Sequence, residues 1–239
     1  MTEKDKRMEL PKMSLDDLFT IQGERDAKET IVAIPINEID DFPNHPYKVK
    51  DDDKMLEMSE NIKRYGVTQP VIVRQKDDGR FEMISGHRRK RASVLAGKEN
   101  INAIVKKLTD EEAVILMVDS NENQREEILP SEKAFAYKMK YEALKKQGQR
   151  TDLTSDPMEQ KLNSKTTREI VAEKTGESAS NIQRYIRLTF LIPEILDMVD
   201  EKKIAFRPAV EISYLSEDNQ YVLLDIMQFS DITPSLAQA

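Results

Sequence analysis

Two short β-rich runs flank Asp77-Asp78-Gly79 in "QPVIVRQKDDGRFEMI", and the second leads directly into "SGHRRKRASVLAG". Asp-Gly between apolar runs is a hairpin signal, because glycine takes the positive φ of a tight turn at little cost. The glycine after Ser85 then reads as a strand-to-helix turn. The helix it opens carries Ala92, Leu95 and Ala96 on one side and stops at Gly97. A hairpin feeding a helix this abruptly commits the middle of the chain to a mixed α+β unit.

The flanking segments extend that unit. "IVAIPINEIDDF" is strand-like, and "DKMLEMSENIKRYG" spaces Met55, Met58, Ile62 and Tyr65 as a helical packing stripe that Gly66 ends. "NAIVKKL" supplies a further strand, after which Thr109 and Glu112 form a capping box for a helix through "DEEAVILMVDSN". A long helix follows from Pro130 to Lys146, with Ala134, Tyr137, Met139, Tyr141 and Leu144 as core candidates and Gly148 as its stop. Gln149 to Ser164 lacks apolar periodicity and reads as a flexible link. Residues 1–33, polar with scattered apolar positions, read as a flexible arm. The expected domains are therefore 34–120, small and mixed, and 121–239, helical.

Composition narrows the chemistry. With no Cys in the 239 residues, disulfides, thiolate zinc sites and thiol catalysis are excluded together, and two histidines are too few for a zinc-type site. A Mg²⁺ held by carboxylates and substrate phosphates remains open. At 34% charged, with no apolar run near the ~20 residues of a membrane span, the chain reads as soluble and cytoplasmic.

The net charge of −7 argues against a protein that coats nucleic acid along its whole surface, yet the charge is unevenly placed. Glu38 to Glu60 holds eight acidic and three basic residues, net −5; Arg74 to Arg91 holds seven basic and three acidic, net +4. Lys161 to Arg187 holds six basic and three acidic, net +3. Two separate anion-binding surfaces follow from that pattern.

The first lies at Gly86. Free backbone N–H groups at a helix start, with the positive end of the helix dipole, suit a phosphate, and Gly86 lets it approach the main chain. Arg88 and Arg89 add planar forks matched to phosphate oxygens. Neighbours on a helix are turned about 100° apart, so Lys90 and Arg91 point elsewhere, to solvent or acidic neighbours. A solvated helix with surface ion pairs would look similar in sequence.

The second surface is "KTTREIVAEKTGESASNIQRYIRL", at about 166–188, which has the layout of a helix-turn-helix. Ile170, Val171, Ala172, Ile182, Tyr185, Ile186 and Leu188 would pack its two helices, and Gly176 permits the turn. In such a unit the second helix enters the major groove. Its first half offers Ser178, Ser180, Asn181, Gln183 and Arg184 to bases and phosphates, with Thr167 on the first helix and Arg187 a turn further on. Beyond it, Pro193 and Pro208 mark further helix starts.

These stretches together resemble the ParB family of DNA-partition proteins, from about Ile34 to Leu215. Gly66, Gln69, Pro70 and Gly86-His87-Arg88-Arg89 fall on the motifs of its nucleotide-binding core, and "NENQREEILPSEKAFAY" on its next box. The resemblance implies an α+β fold: a small mixed ParB/sulfiredoxin-like N-terminal domain followed by an all-α helix-turn-helix domain. It implies CTP with Mg²⁺ as ligand, Gly86, Arg88 and Arg89 holding phosphates. The box Asn121, Glu122, Asn123, Gln124 and Arg125 would supply further phosphate contacts, with Glu122 the candidate Mg²⁺ ligand.

Three positions depart from the family pattern. His87 replaces a glutamate; a neutral imidazole is compatible with a triphosphate and a protonated one would aid it, so binding survives better than hydrolysis, and any CTP hydrolysis would be weak. The family's box runs Glu-Asn-x-Gln-Arg. Keeping its spacing to Gln124-Arg125 uses Asn121 and Glu122 in reversed order, while keeping its order uses Glu122 and Asn123 with one residue lost. Pro46-Tyr47 stands where the family shows Pro-Arg, at the nucleobase contact.

The implied partners are a centromere-like site on double-stranded DNA, a second copy in a homodimer closed around it, and a ParA-type ATPase at the arm. Sulfiredoxin chemistry fails without a cysteine. The rival readings are a helix-turn-helix transcription regulator without nucleotide, and a ParB-fold nuclease or nucleotide-dependent kinase. "TPSLAQA" looks like the start of another helix, and the family's C-terminal pairing domain is expected beyond it.

Overall fold

The structure, a computed structural model, describes residues 30–125, 127–152, 166–230 and 232–234. Five strands form one mixed sheet: β1 (Ile31–Pro35), β2 (Ile39–Asp40), β3 (Val71–Gln75), β4 (Phe81–Ser85) and β5 (Asn100–Val105), in the order β1-β5-β3-β4-β2. The Asp77-Asp78-Gly79 hairpin is present, with β3 antiparallel to β4 and Gly79 at φ 84°. β1 pairs antiparallel with β5 from Ile31 onward, so Ile31, Val32 and Ala33 belong to the sheet and not to an arm. The rest of the expected arm, 1–29, lies outside the described residues.

Alternation along β4 sends its side chains to two different cores. Met83 joins Ile34, Val73, Ile101 and Ala103, while Ile84 joins Phe42, Tyr47, Ala113 and Met117 under the next helices. Helix α1 (Asp53–Tyr65) is capped by Asp52, whose carboxylate accepts the Met55 N–H. Its Met55 and Ile62 are buried as the spacing predicts, but Tyr65 is 76% exposed, because the apolar stripe has rotated off the core by the last turn. Helix α2 (His87–Leu95) follows β4.

Helix α3 (Asp110–Gln124) begins with the expected Thr109/Glu112 capping box and runs unbroken through the 120/121 division expected between domains. Helix α4 (Pro130–Asp152) likewise continues past Gly148, where a stop was expected; a glycine weakens a helix by only about 1 kcal/mol, less than a packed helix withstands. Of the expected link at 149–164, residues 153–164 lie outside the described residues. Ala136 of α4 packs with Phe42 and Met117, and Ala134, two residues earlier, packs with Leu188 and Ile195. One helix thus helps build two cores.

The remaining helices are α5 (Thr167–Thr175), α6 (Ala179–Leu188), α7 (Pro193–Asp200), α8 (Phe206–Ile212) and α9 (Glu217–Ser230). Pro193 opens α7 at its first position; Pro208 is third in α8, still within the first turn, where its missing N–H loses no bond. A mixed sheet domain followed by a helical one is the expected α+β class. Among the described residues no helix is long and apolar enough to cross a membrane.

Candidate functional site

Gly86 adopts φ 110°, and a Cβ there would lie 2.6 Å from Val71 Cγ1. The chain therefore passes hard against β3 as it enters α2, and only glycine fits. No side chain caps α2, so its first N–H groups, unpaired within any helix, are left to an outside acceptor.

The four cations that follow have separate fates. Lys90 donates to the Ile39 carbonyl and the Asp41 carboxylate, and Arg91 to Asp51, so the acidic 38–60 stretch takes up two of them. Arg89 donates to the carbonyls of Gln69 and Pro70, both at 2.7 Å. It therefore buttresses the loop after α1, and its role is not phosphate contact alone. Arg88 differs from all three: its Nε is buried with no hydrogen-bond partner, and its terminal nitrogen lies 3.6 Å from Asp52. A buried donor without a partner is costly and marks a place built for an acceptor.

His87 corrects the expectation drawn from its neighbours. Its imidazole is buried, accepts the Phe42 N–H at Nε2 (3.5 Å) and stacks on His45 with ring centroids 3.7 Å apart. Burial above all, and then the neighbouring His45, pull its pKa down to about 3. It stays neutral, so although it lines the cleft beside Gly86 it supports the turn and adds no charge to it.

The opposite wall is the end of α3. Asn121, Gln124 and Arg125 share one helical face and line a cleft of about 1520 Å³ with Gly86, Arg88 and Arg89. Glu122 and Asn123 do not line it. The Glu122 carboxylate meets Lys140 Nζ at 3.4 Å on the α4 side, burial raising its pKa, and Asn123 is exposed. The expected Mg²⁺ ligand is therefore a partner of a fully buried lysine, and of the residues the two registers would use before Gln124 only Asn121 lines the cleft. Among the described residues no cluster of three or more His, Asp or Glu is placed to hold a metal.

Arg125 sits over the Tyr47 ring at 5.0 Å and donates at 3.4 Å to Glu132 and to the Lys48 carbonyl. Tyr47 itself is buried in the core, its hydroxyl 3.5 Å from the Val118 carbonyl, and does not line the cleft. Sequence reasoning missed Lys48 and misassigned Tyr65, both cleft-lining. An aromatic just before the helix-stopping Gly66 was the available signal for Tyr65; Lys48 had none.

A triphosphate fits this donor set: a cradle closed to any Cβ, an uncapped helix start, an unpartnered buried arginine nitrogen and a second arginine across the gap.

The helix-turn-helix stands apart from the cleft. Thr166 and Glu169 form a capping box for α5, on which Thr167 is the first residue; Gly176 turns at φ 71°, and Ser178 caps α6 by accepting the Asn181 N–H at 3.1 Å. Val171, Ala172 and Ile182 are buried between the helices. Ser180, Gln183 and Arg184 are exposed, and no hydrogen bond or ion pair with the described residues engages Arg184. Gln183 accepts from Arg168 at 3.3 Å, and Asn181 donates to Glu177 at 2.6 Å, an orientation fixed within the turn.

Arg187 is not the phosphate contact expected. Its guanidinium donates to Ser213 Oγ (3.0 Å) and the Ser213 carbonyl, and lies over the rings of Phe190 and Tyr214 at 4.5 and 4.1 Å. It ties α6 to the end of α8.

Comparison with known proteins agrees with both halves. A family model described as the ParB N-terminal domain matches residues 21–122, and one described as the ParB HTH domain matches 156–231. The chromosome-partitioning protein Spo0J of Thermus thermophilus is 31% identical over 199 residues, 83% of this chain and 65% of that protein. A nucleoid occlusion protein of Bacillus cereus is 30% identical over 226 residues, 95% of this chain and 68% of that protein. The chain thus spans about two thirds of the length of these relatives. Among solved structures, the Pnob8-like ParB-N domain shares the fold at TM-score 0.51, with 16% identity over 86% of each chain. With both models matched in order and 30% identity across 95% of its length, the chain belongs to the ParB family.

Proposed function

We propose that this protein is a centromere-binding partition protein whose cleft holds a nucleoside triphosphate, CTP by family resemblance, and whose α6 reads a specific DNA site. The observation that carries the reading is the separation of two receptors. The buried Arg88 Nε lacks an acceptor beside an uncapped helix start, while Arg184, which no other described residue engages, stands on the exposed face of α6.

In this reading Gly86, Arg88 and Arg125 hold the phosphate tail, and Asn121 and Gln124 orient it. Asn121 Nδ2 already donates to the Met117 carbonyl, which leaves its Oδ1 for the ligand side. Mg²⁺ would be held chiefly by the phosphates and water, since it retains several waters and needs few protein ligands. With His87 neutral, the cationic and amide side chains of the cleft bind and orient the nucleotide. The protein works in the cytoplasm as a homodimer, and nucleotide that prefers a closed dimer would favour closure around DNA. A ParA-type ATPase is the partner proposed for the segment before Ile31.

A second reading is favoured by the relatives named nucleoid occlusion proteins: the same two sites serving DNA-bound regulation of another process. Calorimetric titration of CTP, ATP, GTP and UTP, with and without DNA, tests the proposal. A preference for CTP is expected. Absence of any triphosphate binding would leave a DNA-only regulator, and Mg²⁺-dependent DNA cutting would indicate a nuclease.

A further inference from the structure

Lys48 belongs to two places at once. Its main chain is fixed to the cleft wall, its N–H donating to Glu132 Oε1 at 2.7 Å and its carbonyl accepting from Arg125 at 3.4 Å. Its ammonium lies 3.3 Å from Asp200 and 3.6 Å from Asp197, both on α7 of the helical domain. Lys48 thus both lines the cleft and ion-pairs with α7.

The two attachments differ in strength. The Lys48 side chain is 46% exposed and both its contacts are long, so the pairing with α7 is weak. Asp200 does not depend on it: the carboxylate also accepts from the Ser131 N–H at 2.9 Å and the Ser131 hydroxyl at 2.6 Å. A lysine on a four-carbon stem can turn its donors toward a stronger anion while its backbone stays in place.

We infer that Lys48 is a further phosphate-binding cation of the cleft, held in reserve by Asp197 and Asp200, so that a nucleotide's phosphate tail and helix α7 compete for one ammonium. This rests on the cleft being a triphosphate site. Occupancy draws Lys48 off α7 and loosens the tie between the cleft loop and the helices that support the DNA reader. By linkage, the factor by which pairing with α7 weakens nucleotide binding is the factor by which bound nucleotide weakens that pairing.

Calorimetry with CTP on three proteins decides it: wild type, Lys48→Gln and Asp197→Asn, all at low salt, with thermal melting to confirm the fold. Lys48→Gln should raise Kd about tenfold, the loss of one charge-assisted hydrogen bond. Asp197→Asn should lower Kd about twofold, by removing a competitor. The opposite signs are diagnostic, since a lysine that only braced the loop would make both variants bind more weakly or alike. Unchanged affinity in both variants, with wild type binding normally, overturns this inference and leaves the cleft assignment standing; wild type that binds no CTP overturns both.

Discussion

Helices α2 and α6 begin in opposite ways. The α6 start is closed by its own chain: Ser178 accepts the Asn181 N–H, and Asn181 is held by Glu177. At α2 no side chain caps the helix, Gly86 is pressed against Val71, and the adjacent Arg88 keeps a buried donor with no partner. A self-capped helix can present its exposed face to DNA without a ligand at its end. An uncapped one beside a buried, unpartnered guanidinium nitrogen has donors left for an anion. The contrast separates a surface that reads from a pocket that receives.

The sharpest way to break that contrast is to close the α2 start. Gly86→Ala introduces a Cβ 2.6 Å from Val71 Cγ1 at a φ of 110°. Denaturant melts should show a loss of about 3 kcal/mol, from strain and overpacking together, and triphosphate binding should disappear. Next in size, Arg88→Ala should weaken triphosphate binding about 10- to 100-fold with little change in stability, while Arg89→Ala should lower both, because it releases the Gln69 and Pro70 carbonyls. Calorimetry paired with thermal melting separates the two.

On the reading side, Arg184→Ala should cost about 1–3 kcal/mol of DNA affinity and leave CTP titrations unchanged. Fluorescence anisotropy across a salt series checks it. If about five cations meet phosphates in wild type, the slope of log affinity against log salt is about −4.5 and falls by about one unit in the variant only if Arg184 is one of them. The smallest effect is expected at Ser178→Ala, about 1 kcal/mol from loss of the cap, measured by urea unfolding.

What the sequence revealed follows from what local rules can see. The Asp77-Asp78-Gly79 hairpin, the Thr109 capping box and the Gly176 turn are set within a few residues, and each stands where reading placed it. Helical spacing turned Lys90 and Arg91 toward solvent or acidic neighbours, and the neighbours they meet are Asp41 and Asp51. The misreadings concern which neighbour a helical face meets. One step along α3, about 100°, carries a side chain from the cleft at Asn121 to Lys140 at Glu122. Arg187 looked free because Ser213 and Tyr214 reach it from more distant parts of the chain. Lys48 had no local sign at all, since its acidic partners lie about 150 residues away on α7.

Helix α4 sets a limit on how the molecule can be dissected. Because Ala136 covers Met117 and Phe42 while Ala134 covers Leu188 and Ile195, a cut before Pro130 strips the lid from the first core and a cut after the helix removes a wall from the second. Fragments meant to isolate the sheet domain must retain this helix, and those that omit it should aggregate through the bared Met117 layer.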